Sequence, residues 1–272
     1  MQHLQRYEDM VSPAGTRRPH INRGPQITER LEKFLRINGQ QGVLRFDQAQ
    51  RWLARLSPEP DRMKQHDNLS AERTRKILRP WLKEEVILYR TFFNRQKGGI
   101  WLTTKGLKYA NLRLRYYEPN PATLSHLYAV NDIRLLIAER LPKDTWRSER
   151  EIRAQQNVNP EGSTPPHVPD AELISPNGTV RAIEVELTIK AEKRLEAIVF
   201  DFAANKRYNA IWYFLPESVY SAVTKAVHKL PPEHRKRFVF FSLKGDPYTH
   251  ESRESTQESG TKAMHKWHKS DA

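Results

Sequence analysis

The sequence predicts an α+β chain in two domains, and three observations carry that prediction. Apolar residues at helical spacing alternate with short β-prone runs, the Pro119-Asn120-Pro121 break separates two complete periodic patterns, and Asn177-Gly178 sits between two β-prone runs as a hairpin signal. At 272 residues, 38% hydrophobic and 29% charged, the chain is long and apolar enough for two cores. No run has the length and apolarity to span a bilayer, and the first ten residues lack the apolar core of a signal peptide. The absence of cysteine excludes disulfides and thiolate metal sites and fits a reducing cytoplasm.

Residues 1–24, with two prolines, two glycines and Arg17, Arg18 and Arg23, read as a flexible basic arm. The first domain is expected over 25–118. Ile27, Leu31, Phe34 and Leu35 mark a helix with a stop signal at Asn38-Gly39, and Asp47 caps a second helix that turns Ala49, Trp52, Leu53 and Leu56 inward. After a polar loop from Ser57 to Leu69, Ser70 caps a third helix. It buries Thr74, Ile77, Leu78, Trp81 and Leu82 and displays Arg73, Arg75, Lys76 and Arg79 on the opposite face. Pro80 predicts a kink or stop in this helix.

Strands at Val86-Ile87-Leu88-Tyr89 and Gly99-Ile100-Trp101-Leu102 follow, joined by a loop carrying Arg95 and Lys97, and Thr103 opens a closing helix. This is the order of a winged helix-turn-helix, in which the third helix enters the major groove and the wing rests on the backbone. The net charge of +14 agrees: residues 1–118 hold 24 Lys+Arg against 12 Asp+Glu, whereas 119–272 hold 22 against 20. Arg73, Arg75, Lys76, Arg79, Arg95 and Lys97 are the expected contacts to double-stranded DNA.

The second domain is expected over 119–247, with 248–272 too polar to fold. Leu124, Leu127, Tyr128, Val130, Ile133, Leu136 and Ile137 predict a long helix ending at Leu141-Pro142. A strand from Trp146 to Ile152 and a polar loop through Gly162 lead to the hairpin Val168–Lys190. Helix Ala191–Ala204, strand Ala210–Leu215, helix Glu217–Leu230 and strand Phe238–Leu243 complete an αβββαβ order with one added helix and strand.

The hairpin carries the chemistry. Its alternation puts Ala182, Glu184, Glu186 and Thr188 on one face and Ile183, Val185 and Leu187 on the other. Two glutamates two apart on a strand project the same way, roughly 7 Å apart, and repel unless a cation or base lies between them. With Asp170 on the neighbouring strand they form a set of hard oxygen donors suited to Mg²⁺. The same alternation also describes a hairpin whose glutamates face solvent. His167 is a candidate proton acceptor or a solvated loop side chain, and Glu149 and Glu151 are either further ligands or surface residues.

Pro169-Asp170, a turn, Glu184-Val185-Glu186 and Lys190 resemble the PD-(D/E)xK nuclease superfamily, whose signature is an Asp on one strand and an acidic residue, any residue and Lys on the next. Glu186 stands where that lysine would be, as in some restriction endonucleases of the superfamily. The resemblance implies that Asp170 and Glu184, with the Val185 carbonyl, hold Mg²⁺ or Mn²⁺, and that Glu186 or Lys190 places or activates the attacking water. Asp170, Glu184, Glu186 and Lys190 are then the catalytic set of an endonuclease.

A narrower resemblance covers residues 25–243. The winged helix together with Val130-Asn131-Asp132-Ile133-Arg134, Trp146-Arg147-Ser148-Glu149-Arg150, Pro169-Asp170-Ala171 and Glu184-Val185-Glu186-Leu187-Thr188 is similar to the replication-relaxation family of plasmids and integrative elements. That implies a cytoplasmic bacterial mobile-element protein acting on duplex DNA at the start of replication or transfer. The expected partner is double-stranded DNA, with a relaxase, other replication or transfer proteins and a second copy of the chain in a homodimer as further candidates and no membrane. The alternative reading is a non-catalytic accessory protein, initiator or transcription regulator that uses a degenerate nuclease fold for docking.

Overall fold

The computed structural model describes residues 28–57, 68–155 and 167–248. The expected basic arm, most of the 57–69 loop, the polar loop through Gly162 and the tail beyond Tyr248 lie outside the described residues. The chain is mixed α and β and divides into two compact units, Met1–Tyr128 and Ala129–Ala272.

The first unit runs α1 (Glu29–Gln41), β1 (Leu44–Arg45), α2 (Phe46–Arg55), α3 (Ala71–Lys83), β2 (Ile87–Arg90), β3 (Gly99–Leu102) and α4 (Thr104–Tyr109). Its three strands form an antiparallel sheet in the order β1-β3-β2. Ser70 caps α3 as expected, its hydroxyl accepting from the Arg73 N–H at 3.2 Å.

Three local expectations are corrected. The first helix passes through Asn38-Gly39 and stops at Gly42, which takes φ +86°. Gly39 is small for packing instead, since a Cβ there would lie 2.5 Å from the Leu112 side chain. Arg45, not Asp47, occupies the N-cap of α2, with Gln48 accepting from the Arg45 N–H at 3.0 Å while Asp47 pairs with the Arg45 guanidinium. Helix α3 continues through Pro80 to Lys83, for the ring sits on its exposed face and costs one hydrogen bond in the last turn.

The long helix α5 (Pro121–Arg140) crosses the division between the units. Leu124 and Tyr128 pack with Val43 and Trp101 in the first unit, and Val130, Ile133 and Ile137 join the core of the second. The second unit continues with β4 (Thr145–Ser148), α6 (Glu149–Gln155), β5 (Ala171–Ile174), β6 (Val180–Val185), α7 (Glu192–Ala204), β7 (Ala210–Phe214), α8 (Glu217–His228), α9 (Pro232–Arg235) and β8 (Phe238–Phe241).

Its five strands lie in sequence order, β4, β5 and β6 antiparallel, β6, β7 and β8 parallel. One face, with Ala171, Leu173, Ile183, Val185, Trp212 and Phe214, packs on α5. The other, with Ala182, Ile211, Tyr213 and Phe238, is covered by Leu195, Val199 and Phe202 of α7 and by Val219, Val223 and Val227 of α8. Arg237 closes the C-terminus of α7, donating to the carbonyls of Ala203, Asn205 and Tyr208.

Two further expectations change. The strand from Trp146 stops at Ser148, because Ser148 and Glu151 form a reciprocal cap that starts α6: the Glu151 carboxylate accepts from the Ser148 N–H at 3.0 Å, and the Ser148 hydroxyl accepts from the Glu151 N–H at 3.4 Å. The hairpin turns at Pro176-Asn177-Gly178, closed by Ser175 and Thr179, but only Gly178 takes a positive φ, +81°, where the Asn-Gly signal predicts one at Asn177 as well.

Candidate carboxylate centre and basic helix

The register that pairs Ala171 with Ile183 sets Asp170, at the entry to β5, across from Glu184 near the end of β6. Asp170 Oδ2 accepts from the Val185 N–H at 2.8 Å, which fixes the first carboxylate against the second strand. Because Ile183 and Val185 face the α5 side, Glu184 faces α7, where it is 4% exposed. His167 Nε2 lies 3.1 Å from Glu184 Oε1, and the imidazole stands edge-on to Phe202 of α7 at 5.0 Å. Glu184 Oε2 is buried and has no hydrogen-bond partner.

Burial, then the charge of Asp170, push the Glu184 carboxyl above its ordinary value, against the pull of His167 and Lys190. Burial works to lower His167, yet the hydrogen bond and charge of Glu184, with Asp170, outweigh it and leave the imidazole raised. Lys190 is lowered by burial, opposed by the same two carboxylates. Its ammonium pairs with Glu186, just past the end of β6. The fold therefore gathers Asp170, Glu184, His167 and Lys190, while Glu186 is held by Lys190. Among the described residues no three or more His, Asp or Glu side chains are grouped to hold a metal ion.

The other acidic candidates have separate duties. Glu151 caps α6, and its charge steadies Arg134, which burial lowers to about 9. Glu149 pairs with Arg153 one turn on, at 2.7 Å. Glu172, two residues beyond Asp170, is 1% exposed and receives Arg207 in a fork at 2.8 and 3.0 Å, the Tyr208 hydroxyl at 3.2 Å, and Arg147.

In the first unit Arg73, Arg75, Lys76 and Arg79 are exposed along α3, opposite buried Thr74, Leu78 and Trp81. The Arg75 guanidinium lies over the Phe46 ring at 5.6 Å. Arg95, at φ +61°, and Lys97 are exposed in the loop joining β2 to β3. Burial works to raise the Asp47 carboxyl, but the Arg45 hydrogen bond and charge, then Lys97, hold it below its usual range.

Sequence reasoning missed Tyr213 and the closing of His167 on Glu184. Tyr213 lies in an apolar run with no local mark, and only the parallel pairing of β6 with β7 sets it beside Glu184. No helix among the described residues is long and apolar enough to cross a membrane. No family model matches the chain, and no curated protein and no solved structure matches it either.

Proposed function

We propose that the chain binds duplex DNA through its first unit and that its second unit is an endonuclease of the PD-(D/E)xK kind, dependent on Mg²⁺ or Mn²⁺, in a bacterial mobile-element protein resembling the replication-relaxation family. The observation that carries the reading is Glu184: a carboxylate almost wholly buried, opposite a second carboxylate, with one oxygen left without a partner. Burying a charge beside a like charge is unfavourable without a compensating cation. Mg²⁺ binds through one or two carboxylates and keeps several waters. Asp170, Glu184 and the Val185 carbonyl fit that requirement without a third acidic ligand.

When bound, such an ion lowers the pKa of a water and offsets charge on the phosphate. The chain's own groups have the remaining tasks. Asp170 is oriented by the Val185 N–H, His167 holds one oxygen of Glu184, and Lys190, close enough to feel both carboxylates, brings positive charge to the mouth of the centre. The DNA assignment rests on the exposed cations of α3 and of the β2–β3 loop and on the helix, strand, helix, helix, strand, strand order of the unit that carries them.

The test is incubation of the purified full chain with supercoiled plasmid and Mg²⁺ or Mn²⁺, with and without chelator. Nicking or linearisation that needs the cation, and that disappears in Asp170→Asn and Glu184→Gln while DNA affinity persists, is the expected result. Replacing Arg75, Lys76 and Arg79 with Ala should weaken binding and reduce the slope of log affinity against log salt by roughly one for each phosphate no longer neutralised. A second reading, the non-catalytic accessory or initiator protein, draws on the pairing of Glu186 with Lys190 at the position where the signature has a free lysine. It takes first place if wild-type protein cuts with neither ion.

A further inference from the structure

Strands β6 and β7 run parallel, and their register pairs Glu184 with Tyr213. Both side chains project to the face covered by α7, between residues that face the other way: Ile183 and Val185 around Glu184, Trp212 and Phe214 around Tyr213. Tyr213 is 0% exposed and its hydroxyl has no hydrogen-bond partner, as is true of Glu184 Oε2. The ring is packed among three others. Phe202 meets it edge-on at 6.3 Å, Phe238 stacks on it at 6.4 Å, and Phe240 lies at 6.0 Å.

A buried, unsatisfied hydroxyl is destabilising, and phenylalanine would supply the same ring contacts without that cost. Two unsatisfied oxygens carried by paired residues on one face of the sheet are explained together by a ligand that reaches both. A phenol is an O–H donor at neutral pH and has a proton to give such a ligand.

We propose that Tyr213 is a positioning residue of the carboxylate centre, its hydroxyl and Glu184 Oε2 facing the same hydrated divalent cation, with the phenol hydrogen-bonded to the water around the ion. The inference rests on the cation-dependent reading above. It goes further in assigning the outer contact to a neutral oxygen from β7, on a strand that contributes none of the expected ligands.

The experiment compares full-length wild type, Tyr213→Phe and Glu184→Gln. Mn²⁺ affinity is read from the electron paramagnetic resonance of the free ion, and melting is followed without cation. Tyr213→Phe should bind Mn²⁺ about tenfold more weakly, the loss typical of an outer contact, while melting at or above the wild-type temperature in the absence of cation. Glu184→Gln should lose binding outright. Equal Mn²⁺ affinity in wild type and Tyr213→Phe overturns the role of Tyr213 and leaves the centre standing. A Tyr213→Phe protein that melts lower without cation, or fails to fold, makes the hydroxyl part of the fold and also overturns it. Absence of Mn²⁺ binding by wild type removes the centre itself.

Discussion

Glu172 and Glu184 lie on neighbouring strands of one sheet, project to the same face and are almost equally buried, at 1% and 4% exposed, yet their surroundings are opposite. Around Glu172 two arginines and a tyrosine saturate both oxygens, and the carboxylate joins β4, β5 and the segment after α7. Glu184 has an imidazole on one oxygen, nothing on the other, and a like charge across the strand gap. A buried carboxylate whose neighbours saturate both oxygens belongs to the fold, whereas Glu184, opposed by His167 and Lys190 but with one oxygen unpartnered, is the one we propose takes a ligand. Burial alone distinguishes nothing here; the set of partners does.

The largest effect is expected at the satisfied residue. Breaking a buried pair by removing one partner costs about 3–5 kcal/mol. Arg207 is 47% exposed and Arg147 21% exposed, so solvent recovers part of that, and about 3 kcal/mol is the working figure for Glu172→Ala. At 2–4 °C per kcal/mol this lowers the melting temperature by roughly 6–12 °C. Calorimetry of the full chain decides it: a fall of less than about 2 °C would mean that the arginines do not depend on Glu172, and the contrast drawn above would break.

The expected effect at Glu184 is smaller and of opposite sign. Glu184→Gln removes a buried charge facing Asp170, so without cation the variant should melt at or above wild type, by up to about 1 kcal/mol. It should also lack the rise in melting temperature that Mg²⁺ or Mn²⁺ is expected to produce in wild type if the proposed centre binds the ion in the native state. A cation-free variant several degrees less stable than wild type would place Glu184 in the same class as Glu172.

Little of this contrast is visible in the sequence, for a physical reason. Alternation across 182–188 puts Glu184 on one face, and Ser70 or Asn177-Gly178 announce a cap and a turn, because each signal acts over a few residues. The partners that separate the two glutamates come from far along the chain. Arg207 is 35 residues from Glu172, His167 is 17 from Glu184, and Tyr213 reaches Glu184 only through a parallel pairing. Strand β1, two residues long, exists because Leu44 and Arg45 pair with Ile100 and Gly99, and it has no periodicity to read. The end of β4 is legible in principle: Ser148-Glu149-Arg150-Glu151 is a capping box, although the apolar Trp146 and Ile152 on either side favour a longer strand.

The smallest effect is in pH. Glu184 is raised in the folded chain, so its native form holds a proton over a range where the unfolded chain has released it. Its contribution is complete below the ordinary glutamate value of 4.5 and is lost as pH rises through the raised value. His167 is raised too, so its contribution is complete below 6.5 and is lost as pH climbs past that. Both terms have the same sign, and the two groups share a hydrogen bond, so they titrate as a pair. Cation-free wild type should therefore lose stability relative to Glu184→Gln as pH rises from 4.5 past 6.5. Mn²⁺ should act in the opposite direction, since ligands must be deprotonated to receive it, and the cation-induced rise in melting temperature should grow over the same interval. Melting curves at half-unit pH steps, with Mn²⁺ and with chelator, measure both. If the wild-type and Glu184→Gln curves run parallel across that interval, neither His167 nor Glu184 retains a proton that folding put there, and the uncompensated charge that separates Glu184 from Glu172 is not felt by the fold.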